Sequence, residues 1–400
     1  ISASNNQDTF IMDNVAVTID GNGNGSDFVD YSGMTGSDLT VRLDDTSFQI
    51  FGASGSTQRI REVERLTTAD GDDTIYTSNS LAEVIDAGTG NNYVYGSSLT
   101  DSITFGAGND TLDYSRVGTA ITSVTLDING DGTIDRGSHD DTVVGVENII
   151  GTTGGDTLTG NAGVNLLGGH SGNDTLIGGL GDDFLDGGAN TDTVSYVARA
   201  DITGGISFTL NAAYGGTDPL GGGGYSAITL NGAGETDYIK NVEIIRGTNN
   251  VDNMTGDGNA NTFYGEGDDD VIDGAGGADT LYGGAGMDTL IGGFGYDTIY
   301  GGDDDDDIDG DDGNDDLYGE DGSDDINGGA GDDTIFGGGG VDTIDGGTGT
   351  DTIDYSLAGG GINVNLSTGT VSNDGDGAND IIVGNSIENV VGSGSNDIII

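Results

Sequence analysis

Residues 247–354 consist of one nine-residue pattern, G-G-x-G-x-D-x-(large apolar)-x, repeated twelve times without a gap. It reads cleanest as GGAGMDTLI at 283–291, GGFGYDTIY at 292–300, GGAGDDTIF at 328–336, GGGGVDTID at 337–345 and GGTGTDTID at 346–354. A period this regular makes a stacked, solenoid-like architecture the first expectation. Glycines at the first, second and fourth positions let the backbone turn through positive φ and bring carbonyl oxygens close together. The eighth position is Ile, Leu, Phe or Met, so each repeat joins a tight turn to a short strand with one side chain pointing inward.

Two nonapeptides then make an eighteen-residue coil of two turns and two strands. Coils stacked about 4.8 Å apart place each sixth-position carboxylate beside the turn one coil on. Those carboxylates are Asp252, Asp270, Asp279, Asp288, Asp297, Asp306, Asp315, Asp324, Asp333, Asp342 and Asp351; Asn261 alone departs. Carboxylate and carbonyl oxygens converging between coils form the all-oxygen environment that Ca²⁺ prefers. Dehydrated Mg²⁺ needs a tighter site, and a transition metal would favour thiolate or imidazole.

These residues resemble the RTX (repeats-in-toxin) family of secreted bacterial proteins. The resemblance implies an all-β fold, a calcium-binding parallel β-roll or β-solenoid, and folding on calcium after export, generally by type I secretion. It covers the three repeat blocks, and most closely resembles the repeat regions of extracellular adhesins and surface-layer or fibre proteins. Asn250, Asn261 and Asp304 depart from the pattern.

Composition agrees with a metal-dependent fold. The chain has 400 residues, 80 of them glycine, no cysteine, one proline (Pro219), and 70 acidic against nine basic residues, a formal net charge of −61. Such an excess of acid ordinarily signals disorder, but here it keeps register with a structural repeat. No Lys or Arg lies in a repeat block. Carboxylates this dense repel one another by several kcal/mol at low dielectric, so folding is expected to be coupled to cation binding. The absence of cysteine suits an exported chain braced by metal. Neither a signal peptide nor a run of transmembrane length is visible, and the acidic surface argues against nucleic acid and against membrane insertion.

Four longer units interrupt the repeats. Each opens near Tyr31, Tyr114, Tyr196 or Tyr355, continues in alternating apolar and polar residues, and closes on a segment such as Val146-Glu147-Asn148-Ile149-Ile150 or Ile387-Glu388-Asn389-Val390-Val391. Period-two alternation marks half-buried strands. The chain therefore divides into 1–67 (degenerate repeats and first insert), 68–113 (β-roll), 114–150 (insert), 151–195 (β-roll), 196–246 (insert), 247–354 (main β-roll), 355–391 (insert) and 392–400 (a further repeat). The inserts either widen the coils or fold beside them as antiparallel flaps; sequence leaves both open.

The earlier blocks add ligand candidates Asp73, Asp101, Asp110, Asp156, Asp174, Asp183 and Asp192, with Asn92 and Asn165 at equivalent positions. Asp127, Asn129 and Asp131 match the start of an EF-hand-type loop that lacks its closing Glu; an acidic turn is the plainer reading. Tyr264, Tyr282, Tyr300, Tyr318 and Phe336 fall at every second ninth position, predicting an aromatic ladder on one sheet. Asp273, Ile291, Asp309, Asn327 and Asp345 belong to the opposite sheet. The ladder either stabilises adjacent strands or offers a platform for an insert, another chain or a glycan.

No catalytic constellation is legible. His139 and His170 are the only histidines, and neither H-E-x-x-H nor G-x-S-x-G occurs. The expectation is a non-enzymatic, extracellular calcium-dependent structural protein, of the surface-layer, fibre or adhesin kind. Both termini fall in repeat-like segments, which suggests copies of the chain joining head to tail. The alternatives are the folding and secretion module of a lipase, protease or epimerase, and a module that binds cell-surface glycan.

Overall fold

One apolar side chain per repeat has to supply the whole core, and it does. In the computed structural model of the chain, Met254, Phe263, Ile272, Leu281, Leu290, Ile299, Ile308, Leu317, Ile326, Ile335, Ile344 and Ile353 are all fully buried. The seventh and ninth residues on either side point away from the core, giving strands with a buried centre and half-exposed flanks. Burying an Ile or Leu side chain contributes about 1.5–3 kcal/mol, so a coil draws its apolar stabilisation from two residues. The structure describes residues 9–11, 27–33, 38–43, 50–52, 57–58, 63–68, 70–118, 120–121, 123–126, 129–137, 139–210, 224–375, 378–384 and 386–400.

The chain forms two units, Ile1–Val194 with Asp237–Val242, and Ser195–Thr236 with Glu243–Ile400. In the second, strands Thr262–Gly267, Thr280–Ala285, Thr298–Asp303, Asp316–Asp321, Thr334–Gly339 and Thr352–Asp354 pair in parallel. Their register, Thr262 to Thr280 to Thr298 to Asp316 to Thr334 to Thr352, advances by the eighteen residues of one coil. Asn253–Thr255, Val271–Asp273, Thr289–Gly295, Asp307–Gly313, Asp325–Asn327 and Thr343–Asp345 form the second parallel sheet. The first unit repeats this scheme, for example Tyr93–Tyr95 on Thr111–Asp113 and Thr157–Thr159 on Thr175–Ile177. No helix occurs among the described residues, and none is long and apolar enough to cross a membrane. The fold is an all-β parallel β-roll.

The inserts belong to the roll, resolving what sequence left open. Ser123–Leu126, Gly132–Asp135 and Asp141–Val144 form an antiparallel meander. Its first strand pairs in parallel with the following roll strand Thr157–Thr159, and its last with the preceding Ser102–Thr104. Asn363–Asn365, Thr370–Asn373 and Ile381–Ile382 repeat the arrangement, paired to Ile398–Ile399 and Thr343–Asp345. Leu39–Arg42, Ile50–Gly52 and Thr57–Gln58 are likewise antiparallel, with Leu39–Arg42 parallel to Thr74–Tyr76. The 123–144 and 363–382 meanders are thus spliced into a sheet with roll partners at both ends, and the 39–58 meander is joined to the roll through Leu39–Arg42.

Candidate metal centres between the coils

Backbone amides of successive coils need acceptors, and the sixth-position carboxylates provide them. Asp252 N–H donates to Oδ1 of Asp270, Asp270 to Asp288, Asp288 to Asp306, Asp306 to Asp324 and Asp324 to Asp342, at 2.7–3.1 Å. A second row runs from Asn261 through Asp279, Asp297, Asp315 and Asp333 to Asp351, at 2.7–3.0 Å. In the first unit, Asp156 N–H donates to Asp174 Oδ1 and Asp174 N–H to Asp192 Oδ1, at 2.7 and 2.8 Å. Asn165 N–H reaches Asp183, Asn92 N–H reaches Asp110 and Glu83 N–H reaches Asp101, at 2.7–2.8 Å. Asp73 Oδ1 accepts from Leu39 N–H at 2.7 Å. Every one of the eighteen sixth-position candidates is buried, none more than 3% exposed.

Those bonds occupy one oxygen of each carboxylate. Oδ2 of Asp110, Asp174, Asp270, Asp279, Asp288, Asp297, Asp306, Asp315, Asp324, Asp333, Asp342 and Asp351 is buried with no hydrogen-bond partner among the described residues. A buried, unpaired carboxylate oxygen is costly, and twelve in periodic array call for a cation. Burial pushes the carboxyl of Asp270 up to about 8, and those of Asp279, Asp306, Asp315 and Asp342 up to about 7, with carboxylates of neighbouring coils adding to the rise.

The glycines mark where further oxygens converge. A Cβ on Gly283 would stand 2.3 Å from Asp288 Oδ2 and 2.6 Å from the Gly301 carbonyl oxygen of the next coil. One on Gly322 would stand 2.0 Å from the Asp304 carbonyl oxygen and 2.5 Å from Asp324 Oδ1. Glycine is thus required by close approach of oxygens as well as by turn conformation. Where a non-glycine replaces it, the backbone keeps the turn: Glu266, Asp268, Asp304 and Glu320 take φ of 70–80°. Among the described residues no three carboxylate or imidazole groups meet at one point, so a cation here draws most of its ligands from backbone carbonyls, as a hard-oxygen site for Ca²⁺ does.

One coil carries its own cation on such oxygens. Arg136, buried with its partner Asp141, donates from Nη1 to the Ser97 carbonyl at 2.5 Å and from Nη2 to the Leu99 carbonyl at 2.6 Å and Asp141 Oδ1 at 2.8 Å. Ser97 and Leu99 are the second and fourth residues of the turn leading to Asp101. Asp141 is the carboxylate that accepts from Asp101 N–H at 2.7 Å. The guanidinium therefore shows that positive charge fits between a turn and the carboxylate of the coil that follows. Calcium bound between the other coils would be held by the sixth-position Asp and the adjoining turn carbonyls, and would supply the charge those oxygens lack.

Sequence reasoning missed the carboxylates that the inserts return to the ladder. Asp101, Asp110, Asp183, Asp342 and Asp351 donate their amides to Asp141, Glu147, Asp237, Asp380 and Glu388, at 2.7–3.2 Å. Glu147 and Glu388 were legible as the acid of the closing V-E-N-I-I and I-E-N-V-V segments. At each insert's start an apolar residue hands its amide to the next block: Ile121 to Asp156, Ile206 to Asp252 and Ile362 to Asp397. The buried insert tyrosines also have a role, since Tyr114 Oη donates to Asp141 Oδ2 and Tyr355 Oη to Asp380 Oδ2. A phenol thus covers the second oxygen at these joints.

Of the three asparagines at ligand positions, two stand apart. Asn165 turns its amide to the Glu147 carbonyl at 2.7 Å, and Asn261 Oδ1 accepts locally from Asp257 N–H at 3.1 Å, so neither extends the ladder backwards. Asn92 keeps it, accepting from Asp73 N–H at 3.0 Å. Asn129 and Asp131 lie just before the strand Gly132–Asp135, and Asp131 Oδ1 accepts from Gly145 N–H at 3.0 Å; Asp127 falls outside the described residues. Tyr264, Tyr282, Tyr300, Tyr318 and Phe336 stack face to face, centroids 4.4–4.8 Å apart and planes within 12°.

The fold and its carboxylate ladders define a parallel β-roll built to be braced by cations between coils. A family model described as the RTX calcium-binding nonapeptide repeat matches residues 77–112, 141–176, 168–196, 246–281, 282–317 and 318–353. The matches cover half of the chain, which belongs to the RTX calcium-binding repeat family. The match beginning at 141 takes in Asp141 and Glu147, the insert residues that join the ladder. No curated protein matches the chain.

Proposed function

We propose that the chain is a non-catalytic, extracellular structural segment of a bacterial surface-layer, fibre or adhesin protein, exported unfolded by type I secretion and set into a stiff rod by calcium outside the cell. The carrying observation is that the inserts are not separate modules. Each returns a carboxylate to the ladder and a strand to the sheet, so within each unit the roll continues through them. A tail that merely helps an enzyme to fold has no need of such continuity. Millimolar calcium outside a cell fills sites of the affinity typical of extracellular modules, which cytosolic calcium leaves empty.

The proposal is tested by circular dichroism of the chain under calcium titration, followed by electron microscopy in calcium and in chelator. A calcium-induced β spectrum with rods that assemble laterally or end to end supports it. Monomers alone in both conditions would rule out self-assembly, and a β spectrum indifferent to calcium would remove the calcium-set rod.

A further inference from the structure

The aromatic ladder of the second unit borders a trough whose shape and charge specify a partner. Beside the rings runs a column of turn residues in register: Glu266, Gly284, Gly302 and Glu320. The two glycines carry no side chain, so a hollow of about 250 Å³ opens against Tyr282 and Tyr300. Glu266 and Glu320 stand at its ends and Asp303 on its rim. A second hollow of about 470 Å³ continues along Tyr318 and Phe336, edged by Glu320, Asp321 and Asp354 and by Leu357, which is 79% exposed. Aromatic faces bounded by carboxylates attract a cation twice, through the ring quadrupole and through charge.

The protein shows what such a surface takes. At the first rung, the Arg246 guanidinium lies 5.2 Å from the Tyr264 ring centroid while Nε and Nη2 reach Glu266 Oε1 at 2.7 and 2.6 Å. In the first unit, Arg42 and Arg116 lie 4.3–4.7 Å from the rings of the stacked pair Tyr76 and Tyr95. The second unit's remaining arginine, Arg199, is committed to Asp201 and Glu235 at 2.8 and 2.7 Å. No Lys or Arg follows Arg246 in the sequence. Tyr282, Tyr300, Tyr318 and Phe336 therefore have no cation of their own unit to repeat the Arg246 contact.

We infer that the strip from Tyr282 to Phe336 docks an extended, arginine-bearing segment of another protein, each guanidinium lying on a ring with a carboxylate at its edge. Arginine fits better than lysine because its planar group stacks on a ring while its fork binds a carboxylate. The inference concerns a partner and stands apart from the structural role proposed above.

The probe is a hexa-arginine peptide, titrated calorimetrically onto the calcium-loaded chain, with hexa-lysine beside it. A chain this acidic attracts any polycation, so the deciding variant leaves the charge alone: Tyr282→Thr, Tyr300→Thr and Tyr318→Thr together, residues suited to a strand. Its β spectrum in calcium is checked first, and Tyr300→Leu alone replaces it should the triple variant misfold. The expected result is hexa-arginine binding weakened at least about tenfold in the triple variant, or a few-fold in the single one, with hexa-lysine weaker on the parent and little changed by the substitutions. Equal hexa-arginine affinity for parent and ladder variant would overturn the inference, since net charge alone would then explain binding. A neutral glycan that displaces hexa-arginine from the parent at lower concentration would overturn it too.

Discussion

Arg136→Met isolates the part that charge plays between coils. The substitution keeps a long apolar stem and removes the donors to the Ser97 and Leu99 carbonyls and to Asp141 Oδ1. Arg136 and Asp141 have side chains 2% and 0% exposed, so what remains is a buried carboxylate deprived of its counter-charge. Breaking a buried pair in this way costs about 3–5 kcal/mol. Tyr114 Oη and Asp101 N–H still reach Asp141 and hold its oxygens in place. Those oxygens and the two carbonyls form the same hard-oxygen set found between coils elsewhere, and calcium should enter it. Hydrogen exchange of the Asp101 amide, followed across free calcium concentrations, reads both effects. Protection of that amide should fall about a hundredfold or more at limiting calcium and recover at saturation, with one additional equivalent of calcium bound. An equal loss at limiting and saturating calcium, with unchanged stoichiometry, would refute the reasoning that the guanidinium stands where a metal can.

Asp288→Asn retains an acceptor for the Asp270 amide but turns the second oxygen into a donor; the calcium needed for half-maximal β signal should rise, whereas a purely structural hydrogen bond would leave it unchanged. Gly283→Ala drives a Cβ into Asp288 Oδ2 and the Gly301 carbonyl and should cost about 1–3 kcal/mol in calcium, while Gly258→Ala meets nothing within 4 Å and should cost far less; equal losses in thermal melts would mean that flexibility, not close approach, selects glycine. The pH dependence follows from burial. Asp270, at about 8, and Asp279, Asp306, Asp315 and Asp342, at about 7, all lie above the unfolded value of about 3.9. The metal-free roll therefore holds extra protons, is most stable near pH 4 and loses that stability as pH rises to about 8. In chelator, β content should grow on acidification, and calcium uptake near pH 6 should release protons into a weakly buffered solution; growth of β content with rising pH would contradict the assignment.

The roll was legible in the sequence because its period couples a backbone requirement to a side-chain one. Position eight of each repeat had to be apolar, and Leu281 to Ile353 are all buried. The ladder of Tyr264 to Phe336 was legible for the same reason, since an eighteen-residue spacing is one coil. The inserts broke the count. Ile121 and Asp156 are 35 residues apart and Ile206 and Asp252 are 46 apart, yet each pair makes the contact that eighteen residues make inside a block. Pairing of the meanders' end strands with the flanking coils restores the register, and no local pattern announces it. Arg136 was hidden differently, because its significance lies in three oxygens supplied by residues 97, 99 and 141.

These joints explain how a metal-braced stack can accept insertions. At two joints where a meander interrupts the coils, the carboxylate returned to the ladder finds a protein partner for its second oxygen. Tyr114 and Tyr355 supply it as phenols from the opening of their inserts, and at the first of these joints Arg136 adds the charge. Inside the 247–354 block no such groups intervene between the carboxylates of neighbouring coils, and Oδ2 of Asp270 through Asp351 has no protein partner among the described residues. The division of labour is therefore local. Protein groups cover the second carboxylate oxygen at the Asp141 and Asp380 joints, with Arg136 adding charge at the first, and calcium should be needed most where coil follows coil directly. Calcium dependence should accordingly be strongest along the uninterrupted repeats and weakest at the tyrosine joints, a gradient that hydrogen exchange in graded calcium would resolve coil by coil.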